Sequence, residues 1–178
     1  MIVWGASLRR FALVAIALVS AWPVLRGAIS SALVTRGDAL LYARDGRAQA
    51  KYRLALQIDP DNTVAADRYV FAAFLERKSG TLEDAIRVAT LVLRRTPHAT
   101  AVRMDRALCY HLLKRYRPAA RDFEQVGEEL GDVQALALAA SDSTRSGNMP
   151  AARRMLQMAE RIDPTYHPVR VALGKMHR

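Results

Sequence analysis

Hydrophobic and polar positions follow two regimes along this chain. Residues 11–25, FALVAIALVSAWPVL, carry no charge, and Arg9 and Arg10 stand directly before them. From about residue 30 onward, apolar residues instead recur at three- and four-residue intervals, the spacing that gathers them on one face of a helix. Residues 63–78, 100–114 and 133–146 are segments of this kind. Each is followed by a second such segment and then by a helix breaker. The alternating Val, Thr and Tyr of strands is absent, so the pattern predicts an all-helical chain.

The breakers are periodic. Pro60, Pro97, Gly131 and Pro164 are spaced 37, 34 and 33 residues apart, and Ile-Asp-Pro is spelled twice, at 58–60 and 162–164. Twelve residues before the breakers stand Ala48, Ala85, Ala119 and Ala152; eight before stand Tyr52, Ala89, Phe123 and Leu156; five before stand Ala55, Val92, Val126 and Ala159. These offsets lie on one helical face, where small residues admit a neighbouring helix and a bulky one fills the space between. Proline disfavours helix in the residue before it and has no backbone N–H to donate. A period near 34 residues marks a helical repeat. Within the units, SGTLED at 79–84 predicts a helix ending at Gly80 and a capping box from Thr81 to Asp84. SGNMP at 146–150 predicts the same turn with Gly147, Asn148 and Pro150, and YRP at 116–118 is the third equivalent. The second unit is three residues longer, which predicts an extra turn in its first helix.

On these residues the chain resembles the tetratricopeptide repeat family over about residues 30–178. That family has a small residue at the eighth and twentieth positions of each unit, a large one at the twenty-fourth, a small one at the twenty-seventh and proline at the thirty-second. Ala73, Ala107 and Ala140 match the eighth position; Arg36 stands there in the first unit. Ala48, Ala85, Ala119 and Ala152 match the twentieth, with Phe123 at the twenty-fourth and Ala55 and Ala159 at the twenty-seventh. The resemblance implies a right-handed solenoid of about four helix hairpins, at 30–62, 63–97, 98–131 and 132–164. Residues 165–178 place Val169, Leu173 and Met176 on one face and read as the end helix that covers the last unit. It also implies that the first helix of each unit lines a concave groove for a protein segment. The groove positions are Val70, Phe71, Phe74, Arg77, Lys78, Met104, Asp105, Leu108, His111, Leu112, Gln134, Leu138, Ser141 and Arg145. Apolar side chains with a basic rim suit an apolar or amphipathic segment bearing acidic groups. The family members that grip chaperone C-termini carry Lys, Asn and Arg where Val70, Phe74, Asp105 and Leu138 stand, so that role is not implied.

The N-terminal run has two readings. A charged cap before an apolar stretch is the pattern of a secretory signal. Residues 11–25 as helix span ~22 Å, short of a ~30 Å hydrocarbon core, unless Arg26 snorkels to the headgroups and the helix continues through residues 27–34. Trp22 would then lie near an interface. The favoured division is a membrane anchor over residues 1–27 and a repeat domain over 28–178, with the domain on the extracytoplasmic, periplasmic side. The alternative is a soluble periplasmic protein released by cleavage, for which Val19-Ser20-Ala21 and Ser30-Ser31-Ala32 offer small residues.

Charge and composition narrow the function. The chain has 178 residues, 51% of them hydrophobic, and a net charge of +10. Arginine outnumbers lysine 23 to 4. A basic array keeps nucleic-acid binding as an alternative of another class, but acids are mixed with the bases and no aromatic–basic interleaving is present. Cys109 is the single cysteine. It stands two residues from His111, a spacing that points the two to different sides of a helix. No Cys/His cluster has metal spacing and no glycine loop cradles phosphate. Asp142, near the groove, reads as a solvated or capping carboxylate. The sequence therefore predicts a non-enzymatic interaction scaffold, an accessory or assembly subunit of a membrane or envelope complex. It predicts no catalytic residues, cofactor or metal, and leaves the N-terminal helix open to membrane-protein partners.

Overall fold

The computed structural model describes the backbone of residues 4–176 and the side chains of residues 19–176. The described residues form nine α-helices and no strand: α1 (Trp4–Tyr42), α2 (Ala48–Ile58), α3 (Thr63–Glu76), α4 (Ser79–Arg95), α5 (Thr100–Leu112), α6 (Tyr116–Leu130), α7 (Val133–Arg145), α8 (Met149–Ile162) and α9 (His167–Met176). The chain divides into two compact units, Met1–Ala65 and Ala66–Arg178.

In the first unit α2 folds back on the C-terminal half of α1. Ser30, Val34 and Gly37, spaced by four and three residues, are the buried face of α1. Ser30 Oγ donates to the Ala55 carbonyl at 3.0 Å and accepts from Asn62 Nδ2 at 2.8 Å. Asn62 Oδ1 in turn accepts from the Ala65 backbone N–H at 2.9 Å, which caps α3. The close approach belongs to Gly37: a Cβ there would overlap the ring of Tyr52. Arg36, the residue expected to occupy this place, is exposed. The first hairpin separates its two close-approach residues, Gly37 and Ala48, by eleven positions. The others, 73 to 85, 107 to 119 and 140 to 152, use twelve. Arg26 does not snorkel away from the domain. Its guanidinium lies 3.7 Å from both the Asp59 and Asp61 carboxylates.

In the second unit α3–α4, α5–α6 and α7–α8 are successive hairpins, and α9 lies against α8. Ala73, Ala85, Ala107, Ala119, Ala152 and Ala159 are fully buried, as is Phe123, and Ala140 is 2% exposed. Val169 and Leu173 of α9 join the core built around Phe123, Leu136, Met155 and Leu156. Burial of such apolar side chains contributes ~25 cal/mol for each Å² removed from water.

Two kinds of turn alternate. Where a proline ends a hairpin, the residue before it is extended: Asp59 at φ −130°, ψ 89°, Thr96 at −127°, 77°, and Asp163 at −134°, 93°. Each donates its N–H to the carbonyl four residues back, Ala55, Val92 and Ala159. One steric rule, the clash of proline with a helical predecessor, thus builds three joints alike. The remaining joint uses Gly131 in the left-handed conformation, φ +65°. Within hairpins the helix ends instead on a left-handed residue: Arg44, Arg77, Lys114 and Gly147, at φ 54°, 55°, 57° and 80°. At three of these the next residue's N–H reaches five residues back, Asp45 to Leu40, Arg115 to Tyr110 and Asn148 to Ser143, the closing bond of a Schellman motif.

The second turn corrects the sequence reading. Arg77, not Gly80, takes the left-handed position, and α4 begins at Ser79, so Gly80 and Thr81 lie inside the helix. Thr81 Oγ1 donates to Glu76 Oε2 and the Asp84 carboxylate accepts from the Tyr69 hydroxyl, so neither builds a capping box. The three extra residues lengthen α4, at 17 residues, and not α3, at 14.

Most of the proposed anchor, the side chains of residues 1–18, lies outside the described residues. The backbone of α1 runs unbroken through residue 27, with Pro23 inside it. Among the described residues no helix is long and apolar enough to cross a membrane.

Candidate functional site

The first helices of the hairpins, α3, α5 and α7, are joined side to side by polar pairs. Asp67 of α3 faces Asp105 of α5 closely enough to raise the Asp105 pKa. His111 of α5 holds Asp142 of α7 with Nδ1 at 2.9 and 3.0 Å from its two oxygens. Asp142 is fully buried and not solvated as the sequence suggested. Its partner is 31 residues away in sequence, beyond any local spacing rule. Behind this row α5 is fixed to α6 by Arg106, whose Nε and Nη2 contact the two oxygens of Asp122 at 2.8 and 2.7 Å and whose Nη1 donates to Thr90 Oγ1 at 3.1 Å. A two-pronged guanidinium–carboxylate pair of this kind fixes direction as well as distance.

Burial and neighbouring charge decide what the titratable groups can do. Asp105, nearly buried, has its pKa pushed up to about 7, first by burial and then by the Asp67 carboxylate, with Arg68 pulling the other way. The Cys109 thiol is pushed up to about 12, first by burial and then by Asp105. A thiol so protonated is a poor nucleophile. Among the described residues no group of three or more His, Cys, Asp or Glu is placed to hold a metal ion.

The sequence-predicted groove residues differ in exposure and in partners. Val70 is wholly buried and belongs to the packing. Phe71 and Phe74 are partly exposed on α3, with ring centroids 6.3 Å apart, and the Arg77 guanidinium lies 5.9 Å over Phe74. Arg77 and Lys78 are exposed at the turn. Met104 and Leu108 are half-buried and pack on the core of the second unit, and Leu112 is half-buried near the end of α5. His111 meets Tyr116 edge to face at 6.1 Å, and the Arg145 guanidinium lies 5.3 Å over the same ring. His111, Tyr116, Asp142 and Arg145 thus form one cluster. Phe71, Phe74 and Arg77 form another.

A cleft that takes in two of the expected groove residues, Ser141 and Arg145, opens at the C-terminal end of the second unit. Its volume is about 510 Å³, and Ala137, Ser141 and Thr144 of α7 face Pro168 and Ala172 of α9 across it, with Met149 and Leu156 of α8 among its lining. Among the described residues, Arg145 and Lys175 are the charged ones in its lining. Its other side had a signal too: Lys175 ends the helix expected to close the array. Its gap from α7 depends on how that helix docks.

No family model matches the chain, and no curated protein does. Solved structures do. MamA 41-end from Desulfovibrio magneticus RS-1 superposes with a TM-score of 0.63 at 14% identity, over 78% of this chain and 77% of that one. The MamA RS-1 ArsTM double mutant does so at 0.64 and 14%, over the same shares. At this identity the likeness is one of fold, and it agrees with the tetratricopeptide-type helical repeat seen in the hairpins.

Proposed function

We propose that this protein is a non-enzymatic interaction scaffold. The face formed by α3, α5 and α7 takes an apolar or amphipathic protein segment bearing acidic groups. One observation carries the reading: the groups able to do chemistry are spent on holding helices together, while apolar side chains remain open to solvent. His111 is bound to Asp142, Arg106 to Asp122, and the Cys109 thiol is buried. Phe71 and Phe74 are open, as is the α7–α9 cleft. The paired arginines favour a protein partner over nucleic acid. Arg87, Arg115 and Arg154 engage Asp84, Glu83 and Glu124, so these three guanidiniums are already committed to carboxylates of the same chain.

The same proposal places the scaffold at a membrane through the N-terminal part of α1, with the repeats on the extracytoplasmic side. Val19, Trp22, Val24 and Leu25 are 51–77% exposed, a run of apolar side chains that α2 does not cover. They continue the uncharged run from residue 11. Cleavage after Ala32 would cut the α1 face that seats α2, since Ser30 bonds Ala55 and Asn62. The test is fractionation of the full chain with carbonate washing, then mild-detergent recovery of its partner. The protein is expected in the membrane pellet, with the partner retained by wild type and lost from a folded Phe71→Ala/Phe74→Ala/Ser141→Trp variant. Release of full-length protein by carbonate would remove the anchor from the proposal. Retention of the partner by the variant would remove the concave face.

A further inference from the structure

The α7–α9 cleft has a shape and charge that select its occupant. Ala137, Ala140, Ser141 and Thr144 lie on α7 at helical spacing, and their small side chains make the cleft deep. From Ala137 to Arg145 it extends ~12 Å along the helix, two turns. Leu156, Met149, Ala172 and Met176 supply an apolar lining. Small residues spaced in this way admit the bulky side chains of another helix, whose knobs enter the gaps between them. An open apolar cleft of this size is the form an interaction site takes.

The charges fix the orientation. Among the described residues no carboxylate lines the cleft. Arg145 stands in the last turn of α7 and Lys175 in the last turn of α9. The chain reverses at each end of α8, so α7 and α9 run the same way and both cations lie at one end. The guanidinium of Arg145 is held over Tyr116, and that ring packs on His111. The His111–Asp142 pair therefore steadies the cation.

We propose that this cleft is the main docking subsite for an amphipathic helix of a partner protein. The helix presents bulky apolar residues on one face and carries its carboxylates at one end, against Arg145 and Lys175. The inference rests on the reading that the concave face takes a protein partner, and it moves the centre of binding away from Phe71 and Phe74. A helix with acids in its first turn is itself stabilised by its dipole, so such a segment arrives preorganised.

The probe is a fluorescein-labelled 14-residue peptide with leucines at i, i+3 and i+7 and three glutamates in its first turn. Binding to the full chain is read by anisotropy. A control peptide carries lysines in place of the glutamates. The glutamate peptide is expected to bind at least tenfold tighter than the lysine peptide. Ser141→Trp, at an exposed position that fills the cleft, is expected to weaken it at least tenfold, and Arg145→Glu with Lys175→Glu to erase the preference for glutamate. Phe71→Ala/Phe74→Ala should change affinity less than threefold. Circular dichroism confirms that each variant is folded. No binding of the glutamate peptide, or equal binding of both peptides, overturns the proposal. Insensitivity to Ser141→Trp alongside loss in the Phe71→Ala/Phe74→Ala variant overturns this subsite and leaves the concave-face reading standing. Self-association of the unliganded chain that Ser141→Trp abolishes assigns the cleft to a second copy. Binding to anionic vesicles that the same substitution abolishes assigns it to lipid. Either result overturns the partner helix.

Discussion

Asp142, fully buried on α7, rests against the Nδ1 of His111 on α5 at 2.9 Å. The pair ties two neighbouring first helices together at the face where a partner would lie. Deleting the imidazole by His111→Ala leaves a carboxylate buried without its partner. Breaking a buried charged hydrogen bond in this way is expected to cost about 2–3 kcal/mol. His111→Leu combined with Asp142→Leu removes both polar groups and should restore much of that loss. Urea denaturation of wild type, His111→Leu, Asp142→Leu and the double variant as a double-mutant cycle measures the coupling; additive losses would show that the two groups do not interact.

Asp105 makes the stability of the second unit depend on pH. Its carboxyl is raised from an ordinary 3.8 to about 7 in the fold, chiefly by burial and then by Asp67. Between these values the folded state binds more protons than the unfolded one. Stability must therefore fall as pH rises from about 4 to about 7 and then level off. Asp105→Asn removes this dependence. It is expected to raise the melting temperature at pH 8 and to lose that advantage towards pH 4. Thermal denaturation of both chains across that range checks the sign.

The repeat architecture was legible because its determinants are local. A proline forces its predecessor out of helix wherever it stands, so Pro60, Pro97 and Pro164 announce their joints, and Asp59, Thr96 and Asp163 share one conformation. The site was less legible. His111 and Asp142, Arg106 and Asp122, and Asp67 and Asp105 meet across helices, and nothing in the residues' spacing says which carboxylate each will find. The cleft beside Arg145 is a property of how α9 docks, not of any segment alone. Phe71 and Phe74 could be placed on the exposed side by periodicity, but Val70, beside them in sequence, was misplaced there and is core.

The turns inside the hairpins reward a different reading of glycine. Gly147 occupies a left-handed position that Lys114 occupies in the preceding hairpin, at φ 80° and 57°. A side chain in that conformation costs roughly 1–2 kcal/mol, part of which glycine returns as backbone entropy. Lys114→Gly is expected to stabilise by about 0.5–1 kcal/mol, and Gly147→Ala to destabilise by about 1 kcal/mol. Chemical denaturation reads both. Opposite signs at the two sites support a shared conformation, and equal signs would refute it.

The first hairpin offers the sharpest test of its own packing, because two adjacent residues compete for one role. Counting from the breakers points to Arg36 as the close-approach position, whereas the fold places Gly37 under the ring of Tyr52. The Tyr52 hydroxyl also donates to Asp38 Oδ1 at 2.8 Å, so the ring is held from its far end and has little room to move aside. Gly37→Ala adds a carbon to occupied space, an overpacking expected to cost about 1–3 kcal/mol. Arg36→Ala, at an exposed site, should fall within about 0.5 kcal/mol of wild type. Tyr52→Phe keeps the ring and loses only the hydroxyl bond, about 1 kcal/mol. Tyr52→Ala opens room for a methyl at residue 37, so Gly37→Ala in that background should cost much less than it does alone. Denaturant midpoints of these five chains decide the point. A full Gly37→Ala penalty that persists without the Tyr52 ring would mean that some other group makes the close approach.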